Sequence, residues 1–159
     1  FGVWGASAGG HLVALLGTAS DAKGLTDKEG ASDVSARVQC VVDWFGPTDL
    51  VKLGGGRDRG NSPISKLLGG SSQDRLELAK SADPINYVSQ DDPPFLIMHG
   101  DKDTLVPVKQ SELLTESLQA AGVEVTLKVL PGAGHGGGEF TSAESSQAIS
   151  DFFAKHLKK

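Results

Sequence analysis

Residue types and patterns that mark several large protein classes are scarce in this 159-residue chain. It has a single cysteine, Cys40, so no disulfide can form within the chain, and its apolar neighbours predict a buried structural thiol. No apolar run approaches the roughly 18 residues that a membrane-spanning helix needs. The formal net charge is −5, and no basic stripe is interleaved with aromatic residues. These absences argue against disulfide-stapled, membrane-spanning and nucleic-acid-binding proteins.

Signatures of metal and cofactor binding are also missing. No His-Glu-x-x-His motif and no paired-cysteine spacing predicts a metal site. The glycines of residues 5–10 do not fit the dinucleotide fingerprint, and no Gly-Lys-Ser/Thr follows them to form a phosphate loop. We therefore expect neither a metal nor another cofactor. The length of the chain is sufficient for one domain with a core of its own.

A G-x-S-x-G pattern lies near the start of the chain, at residues 5–9 (GASAG). Apolar residues precede it and a strongly apolar run over 10–16 follows it, which predicts a strand, a sharp turn and a helix with Ser7 at the apex. We expect the two glycines to allow close backbone packing around a strained serine. The Ala8 N–H would point to where an oxyanion develops. A glycine-rich turn without chemistry is the alternative, so the remaining chain must supply a base and an acid.

Strand-like and helix-like patterns alternate along the chain, which is typical of an open α/β parallel sheet. After the initial strand, strands are predicted over 38–45, 95–100 and 123–130, and helices over 8–19, 107–121 and 142–157. Helix 8–19 is apolar on nearly every side, which predicts burial all round. Loops are predicted over 20–36 and 54–61. We expect one domain over 1–159, in which residues 48–92, with short helices over 50–53, 62–68 and 71–82, form a small cap.

Three residues that follow predicted strands, Ser7, Asp103 and His135, have the chemistry of a nucleophile, an acid and a base. Catalytic residues of open parallel sheets lie at the carboxyl ends of strands. A serine hydroxyl needs a base to take its proton, and that base needs an acid to hold its tautomer. The order Ser, Asp, His along the chain is the order of α/β-hydrolases.

Other carboxylates and histidines leave alternatives open. Asp101 lies two residues before Asp103, and Asp43 and Asp49 lie at or after the preceding strand, so each is an alternative acid. Of the four histidines, His135 alone lies in a glycine-rich loop after a predicted strand. We expect the others to be structural: His11 packed or capping, His99 at a strand end, and His156 on a helix face.

Three blocks of the chain resemble the signature blocks of α/β-hydrolase esterases: residues 5–10 (GASAGG), 99–107 (HGDKDTLVP) and 132–136 (GAGHG). More narrowly, residues 3–12 (VWGASAGGHL) together with 44–50 (WFGPTDL) resemble the bacterial esterase/lipase group that includes bifunctional feruloyl and acetyl-xylan esterases. The resemblance implies Ser7 as nucleophile, His135 as base and the Ala8 N–H as an oxyanion donor. It also implies Asp103 as the acid, because the family block places the aspartate four residues after the histidine.

The resemblance implies a serine carboxylesterase that hydrolyses small acyl esters, including acetyl or feruloyl esters of plant polysaccharide. A prolyl-oligopeptidase-like serine peptidase is a related alternative. A non-catalytic fragment is another, because the H-G-G-type loop that supplies the family's other oxyanion donors is absent from this sequence. The glycines at 136–138 follow the base and are not that loop.

The part of the fold that the chain resembles is the half from the nucleophile strand onward. The chain opens at Phe1 without a methionine, and its first strand would be an exposed apolar edge, which proteins avoid. We therefore expect a piece of something longer, and pairing of that edge with an N-terminal piece of the same fold or with a second copy. A small acyl ester is the expected substrate.

Overall fold

Four parallel strands form one sheet in chain order, β1-β2-β3-β4, within residues 1–20, 22, 35–54 and 61–157, which the computed structural model describes. The strands are β1 (Gly2–Ala6), β2 (Cys40–Trp44), β3 (Phe95–Gly100) and β4 (Val125–Leu130). Because all strands are parallel, their carboxyl ends meet at one edge of the sheet. The predicted α/β parallel sheet is confirmed.

Six α-helices and one short 3₁₀ helix accompany these strands within the described residues, and the last of them follows β4. They are α1 (Ala8–Thr18), α2 (Leu50–Gly54), α3 (Pro63–Leu68), α4 (Leu76–Ala82), the 3₁₀ helix Pro84–Tyr87, α5 (Lys109–Ala120) and α6 (Ala143–Leu157). The observed ends differ from the predicted ones by a few residues, except that α4 begins at Leu76 and not at Ser71. There the Ser71 hydroxyl accepts the Asp74 N–H at 3.1 Å and stabilises a turn instead.

The sheet carries one apolar core on each face, because successive strand residues point to opposite sides. Val41, Phe95 and Ile97 pack on one face with residues of α1 and α5. Val42, Leu96 and Met98 pack on the other face with residues of α6 and the loop before it. Strands β2 and β3 are therefore covered on both sides, as their near-continuous apolar sequences require. Cys40 is fully buried, as predicted.

The prediction that the first helix is buried all round is wrong. Leu12 is 63% exposed and Leu16 is 40% exposed, although Ala14 is fully buried. These two leucines lie one turn apart on the same side of α1, and that side has no covering element among the described residues. Trp4 on the edge strand β1 is also 50% exposed. The Trp4 ring packs against Trp44 on the α6 face of the sheet, whereas Leu12 and Leu16 lie on α1 at the other face, so the beginning of the fold is uncovered on both sides.

Residues 48–92 hold α2, α3, α4 and the 3₁₀ helix, and they have a small apolar cluster of their own around Leu50, Leu68 and Ala79. The predicted start of α3 is confirmed, since the Ser62 hydroxyl accepts the Ser65 N–H at 3.0 Å. That these residues act as a cap remains a prediction. Of the two predicted loops, residues 21, 23–34 and 55–60 lie outside the described part of the chain.

Candidate active site

Ser7 occupies a strained turn between β1 and α1, with a φ of 55°. Few residues with a side chain adopt this left-handed region, and those that do cluster at functional sites. The turn is held from both sides: the Ser7 N–H donates to the Trp44 carbonyl at 2.8 Å, and the Ser7 carbonyl accepts the His11 N–H at 2.9 Å. The predicted strand, sharp turn and helix are confirmed.

The glycines around Ser7 have different roles. A Cβ atom at Gly5 would lie 2.2 Å from the Gly9 carbonyl oxygen, so the strand and the helix approach closely only because residue 5 has no side chain. The prediction that Gly9 serves the same purpose is wrong, because a Cβ atom there would meet nothing within 4 Å. The helix glycine that packing requires is Gly10, whose Cβ would lie 2.3 Å from Oδ1 of Asp43.

The three residues that the sequence singled out come together at the carboxyl edge of the sheet. Ser7 Oγ lies 2.7 Å from His135 Nε2, and His135 Nδ1 lies 2.7 Å from Asp103 Oδ2. The Asp103 side chain is fully buried, whereas the His135 side chain is 18% exposed. A carboxylate only accepts hydrogen bonds, so the His135 Nδ1–H donates to Asp103 and leaves Nε2 free to accept the serine proton.

Both oxygens of the Asp103 carboxylate are engaged. Oδ1 accepts the N–H groups of Leu105 and Val106, each at 2.9 Å. Oδ2, which faces His135, also lies 3.3 Å from Nε2 of His99. These contacts hold the carboxylate in one orientation, with Oδ2 aimed at the imidazole.

His99 is a fully buried histidine behind Asp103. Its Nε2 lies 2.7 Å from the Val106 carbonyl oxygen, so Nε2 carries a proton, since a carbonyl can only accept. Its Nδ1 lies 2.6 Å from Ser111 Oγ. Burial lowers the pKa of His99, which favours the neutral ring, so the Ser111 hydroxyl donates to Nδ1. The expected structural role holds, but its contact with Asp103 was not foreseen, and a histidine four residues before the acid was the available signal.

The alternative acids are engaged elsewhere. Asp101 Oδ1 accepts the Gly132 N–H at 2.7 Å, which ties the loop after β3 to the loop that carries His135. Asp49 Oδ1 accepts the Lys52 N–H at 2.8 Å, at the start of α2. Asp43 Oδ1 accepts the Gly46 N–H at 2.9 Å. Of these four aspartates, Asp103 is the one whose carboxylate contacts His135.

Asp43 is a fully buried carboxyl close to the Ser7 turn. Burial raises its pKa to about 7, although the hydrogen bond from Gly46 acts in the opposite direction. Its second oxygen, Oδ2, has no hydrogen-bond partner among the described residues. Asp43 lies at the carboxyl end of β2, as expected, and its side chain lies under the amino-terminal turn of α1, against Gly10.

The two other histidines are packed. His11 is 6% exposed, its Nδ1 lies 3.0 Å from the Pro47 carbonyl oxygen, and burial lowers its pKa. The His156 ring packs against Phe152 with ring centroids 4.7 Å apart. Neither imidazole ring takes part in the contacts among Ser7, His135 and Asp103, in agreement with the sequence-based expectation.

In the ranges 1–20, 22, 35–54 and 61–157, no helix combines the length and apolar character that crossing a bilayer demands. The same ranges hold no group of three or more His, Cys, Asp or Glu side chains arranged to bind a metal ion.

Curated relatives of the chain carry esterase names. Esterase LipC of Mycobacterium tuberculosis is 38% identical over 138 residues, which are 84% of this chain and 34% of LipC. Esterase LipQ of the same organism is 31% identical over 155 residues, which are 94% of this chain and 36% of LipQ. The chain thus spans about a third of the length of these relatives.

Solved structures share the fold. A structure titled as a truncated form of carbohydrate esterase from gut microbiota is 31% identical, with a TM-score of 0.85 over 99% of this chain and 60% of that one. An acetyl ester-xyloside bifunctional hydrolase from Caldicellulosiruptor lactoaceticus is 29% identical, with a TM-score of 0.77 over 97% of this chain and 56% of that one. The described sheet and helices therefore have the α/β-hydrolase fold.

A protein-family model described as BD-FAE matches residues 1–118. This match covers the Ser7 turn, the segment after β2 and the block with Asp103, whereas the block with His135 at 132–136 lies beyond it. With 118 of its 159 residues matched, the chain belongs to the BD-FAE family of α/β-hydrolase esterases.

Proposed function

We propose that the protein to which this chain belongs is a serine carboxylesterase acting on small acyl esters, with Ser7 as nucleophile, His135 as base and Asp103 as acid. The observation that carries this proposal is the pair of 2.7 Å contacts that link the Ser7 hydroxyl, the His135 imidazole and the Asp103 carboxylate in a row. The strained φ of Ser7 supports it, because that conformation costs energy and places the hydroxyl at the apex of the turn. The esterase names of the relatives agree with it.

The reaction follows from these contacts. His135 Nε2 takes the proton of Ser7 Oγ as that oxygen attacks the ester carbonyl, and the imidazolium then protonates the departing alkoxide. Asp103, held by the Leu105 and Val106 N–H groups, stabilises the imidazolium through Nδ1–H. A water molecule, deprotonated by the same Nε2, then attacks the acyl-enzyme. This second attack releases the carboxylic acid and returns the proton to Ser7 Oγ.

The oxyanion formed in each step needs hydrogen-bond donors. We assign the Ala8 N–H as one donor because Ala8 is the first residue of α1, and the amino terminus of a helix favours negative charge. Loss of a single oxyanion donor costs on the order of 3–4 kcal/mol of transition-state stabilisation. A second donor from outside residues 1–159 is therefore part of the proposal.

An N-terminal piece of the same fold, or a second copy of the chain, is the partner we propose for the open edge of β1. Two observations support this pairing: β1 has a neighbouring strand on one side in the described sheet, and apolar side chains near that edge are exposed on both faces, Trp4 on one and Leu12 and Leu16 on the other. Light scattering would report a second copy as a dimer. Mixing the chain with a polypeptide that supplies further strands would lower the exposure of Trp4. The change in tryptophan fluorescence measures this, with Trp4→Phe as the control.

For the substrate, we propose acetyl or feruloyl esters of plant polysaccharide, since one similar structure is that of a carbohydrate esterase and another that of an acetyl ester-xyloside bifunctional hydrolase. A prolyl-oligopeptidase-like peptidase is the weaker alternative, because the relatives named esterases cover 84% and 94% of this chain and the relative named a peptidase covers 46% of it. Turnover of para-nitrophenyl acetate against a peptide para-nitroanilide separates the two activities.

The decisive experiment treats the chain with a fluorophosphonate and with para-nitrophenyl acetate beside a Ser7→Ala control. A single adduct on Ser7, together with turnover that Ser7→Ala abolishes, is the expected result. Failure to form an adduct both alone and after addition of N-terminal strands would overturn the proposal and favour the non-catalytic alternative. The same assay after addition of N-terminal strands tests whether the second oxyanion donor comes from there.

A further inference from the structure

Two residues other than glycine have a positive φ in the described part of the chain: Ser7, at 55°, and Phe45, at 44°. The strain at Ser7 is explained by the nucleophile turn. Phe45 is the less expected of the two, because a bulky aromatic residue in the left-handed region is a true outlier. Such strain persists only where the surrounding structure imposes it, and it concentrates at functional sites.

The strain at Phe45 is imposed by contacts on both sides of the residue. Its N–H donates to the Met98 carbonyl on β3 at 2.9 Å, so the backbone is still attached to the sheet at this point. The next N–H, of Gly46, donates to Asp43 Oδ1 at 2.9 Å. A Cβ atom at Gly46 would lie 2.6 Å from the backbone nitrogen of His11, so the chain passes directly over the start of α1. A positive φ at Phe45 accommodates this abrupt change of direction.

As a result, the Phe45 ring lies beside the candidate base. Its centroid is 4.5 Å from that of the His135 imidazole, with an angle of 57° between the two planes. The far end of the ring, Cζ, lies 4.0 Å from the position that a Cβ of Gly136 would occupy. Phe140 supports the ring from another side, in a T-shaped contact with centroids 4.7 Å apart. Phe45 itself is 5% exposed, so this arrangement is packed.

The hydrogen bonds of His135 leave one motion of its ring unrestrained. Contacts at Nδ1 and Nε2, to Asp103 and Ser7, hold the two nitrogens but permit rotation of the ring about the line that joins them. Because the Nε2 lone pair does not lie on that line, such a rotation changes its direction relative to the serine hydroxyl. An aromatic ring packed beside the imidazole limits this tilt, because the rotating ring atoms would collide with it.

We propose that Phe45 is a positioning residue for His135: its strained backbone places an aromatic ring against the imidazole and fixes the plane in which Nε2 meets the Ser7 hydroxyl. This inference rests on the proposed role of His135 as the base. Phe45 acts through His135 and takes no part in bond formation.

The test compares Phe45→Leu, which removes the ring, with Phe45→Tyr, which retains it. Phe95→Leu is a matched control, because Phe95 is a fully buried ring in the core of the opposite sheet face. Turnover of para-nitrophenyl acetate is expressed per site titrated with a fluorophosphonate, so that a loss of folded protein does not count as a loss of rate. For Phe45→Leu we expect kcat to fall about 10- to 100-fold, the range typical of a misplaced catalytic group, while KM changes less than about 2-fold.

The expected pattern is a large kcat loss in Phe45→Leu, recovery to near the parent rate in Phe45→Tyr, and no change per titrated site in Phe95→Leu. If Phe45→Leu retains the parent kcat per titrated site, or if Phe95→Leu loses as much, the inference is wrong and Phe45 serves stability alone. A failure of the proposed function shows itself differently: Ser7→Ala and His135→Ala would then leave turnover unchanged.

A second measurement does not depend on turnover. The proton on His135 Nδ1, shared with Asp103, gives a low-field NMR signal that His135→Ala identifies by its disappearance. We expect Phe45→Leu to broaden or shift this signal and Phe95→Leu to leave it in place. An unchanged signal in a folded Phe45→Leu variant would contradict the proposal.

Discussion

Nε2 of His99 lies 3.3 Å from Oδ2 of Asp103, the same oxygen that faces His135 at 2.7 Å. A buried neutral histidine thus stands behind the acid, opposite the candidate base. It connects the acid to Ser111 on α5, whose hydroxyl is 2.6 Å from the other ring nitrogen. A row of polar contacts therefore runs from Ser111 through His99, Asp103 and His135 to Ser7.

Replacement of His99 is expected to lower both activity and stability. In His99→Gln, the shorter side chain cannot reach both the Val106 carbonyl and the Ser111 hydroxyl. One buried polar group is then left without a hydrogen bond, which lowers the free energy of unfolding by about 1–3 kcal/mol. The Asp103 carboxylate loses its rear contact, so kcat with para-nitrophenyl acetate should fall by about 10-fold. Urea unfolding and steady-state kinetics check the two effects. His156→Gln, on α6 and outside this row, is the control, and an equal loss of kcat in that variant would contradict the assignment.

Asp103 and Asp101 are expected to respond very differently to the same substitution. Asp103→Asn replaces the charged carboxylate that accepts the His135 Nδ1–H with a neutral amide. The loss of rate should be of the order of 10⁴-fold. Asp101→Asn keeps an amide oxygen that can accept the Gly132 N–H, so activity should stay within about 3-fold of the parent, as for most exposed substitutions. Both rates come from para-nitrophenyl acetate hydrolysis. Equal losses of rate in the two variants would contradict the assignment of Asp103 as the acid.

Alanine substitutions at adjacent glycines of α1 are expected to have opposite effects on stability. Gly9→Ala adds a Cβ in open space, and alanine favours the helix over glycine by about 0.5–1 kcal/mol. Gly10→Ala places a Cβ 2.3 Å from Asp43 Oδ1 and 2.8 Å from the Trp44 carbonyl oxygen, so it should cost about 1–3 kcal/mol or more. The free energy of unfolding in urea measures both. A stable Gly10→Ala variant would show that the close packing below the Ser7 turn is not required.

Two buried carboxyls should make the protein less stable as the pH rises. Burial raises the pKa of Asp43 to about 7 and that of Asp83 to about 6, against about 3.9 for an exposed aspartate. Because the folded state holds these protons more tightly, the stability that they contribute is complete below pH of about 4. It is lost as the pH rises through about 6 for Asp83 and about 7 for Asp43.

Asp43→Asn isolates this effect, since the amide stays neutral and still accepts the Gly46 N–H. Between pH 5 and pH 8, the variant should gain stability relative to the parent by an amount on the order of 3 kcal/mol. The buried histidines His11 and His99, whose pKa values are lowered, act in the opposite direction, so the difference between variant and parent is the informative quantity. Asp91→Asn, an exposed substitution, is the control, and the prediction fails if Asp43→Asn follows the parent curve.

The local features of this protein could be predicted from the sequence because they depend on neighbouring residues. The turn at Ser7 follows from an apolar strand, a glycine two residues before the serine and an apolar helix after it. The helices and strands follow from their periodicity, and the start of α3 follows from Ser62 before a proline. The identities of Ser7, Asp103 and His135 follow from motif blocks at the carboxyl ends of predicted strands, and the structure places these three side chains in contact.

Tertiary structure decided what depends on residues far apart in the chain. Close packing requires a glycine at residue 10 and not at residue 9, because β2 places Asp43 beneath Gly10 and a Cβ at Gly9 would meet nothing within 4 Å. Leu12 and Leu16 are exposed because the described sheet covers a single side of α1, which periodicity alone does not reveal. The strained φ of Phe45 arises in the same way, because β3 and the start of α1 meet the end of β2 only in the folded sheet. Local sequence therefore determined the elements and the candidate catalytic residues, and packing between distant segments determined how those residues are held.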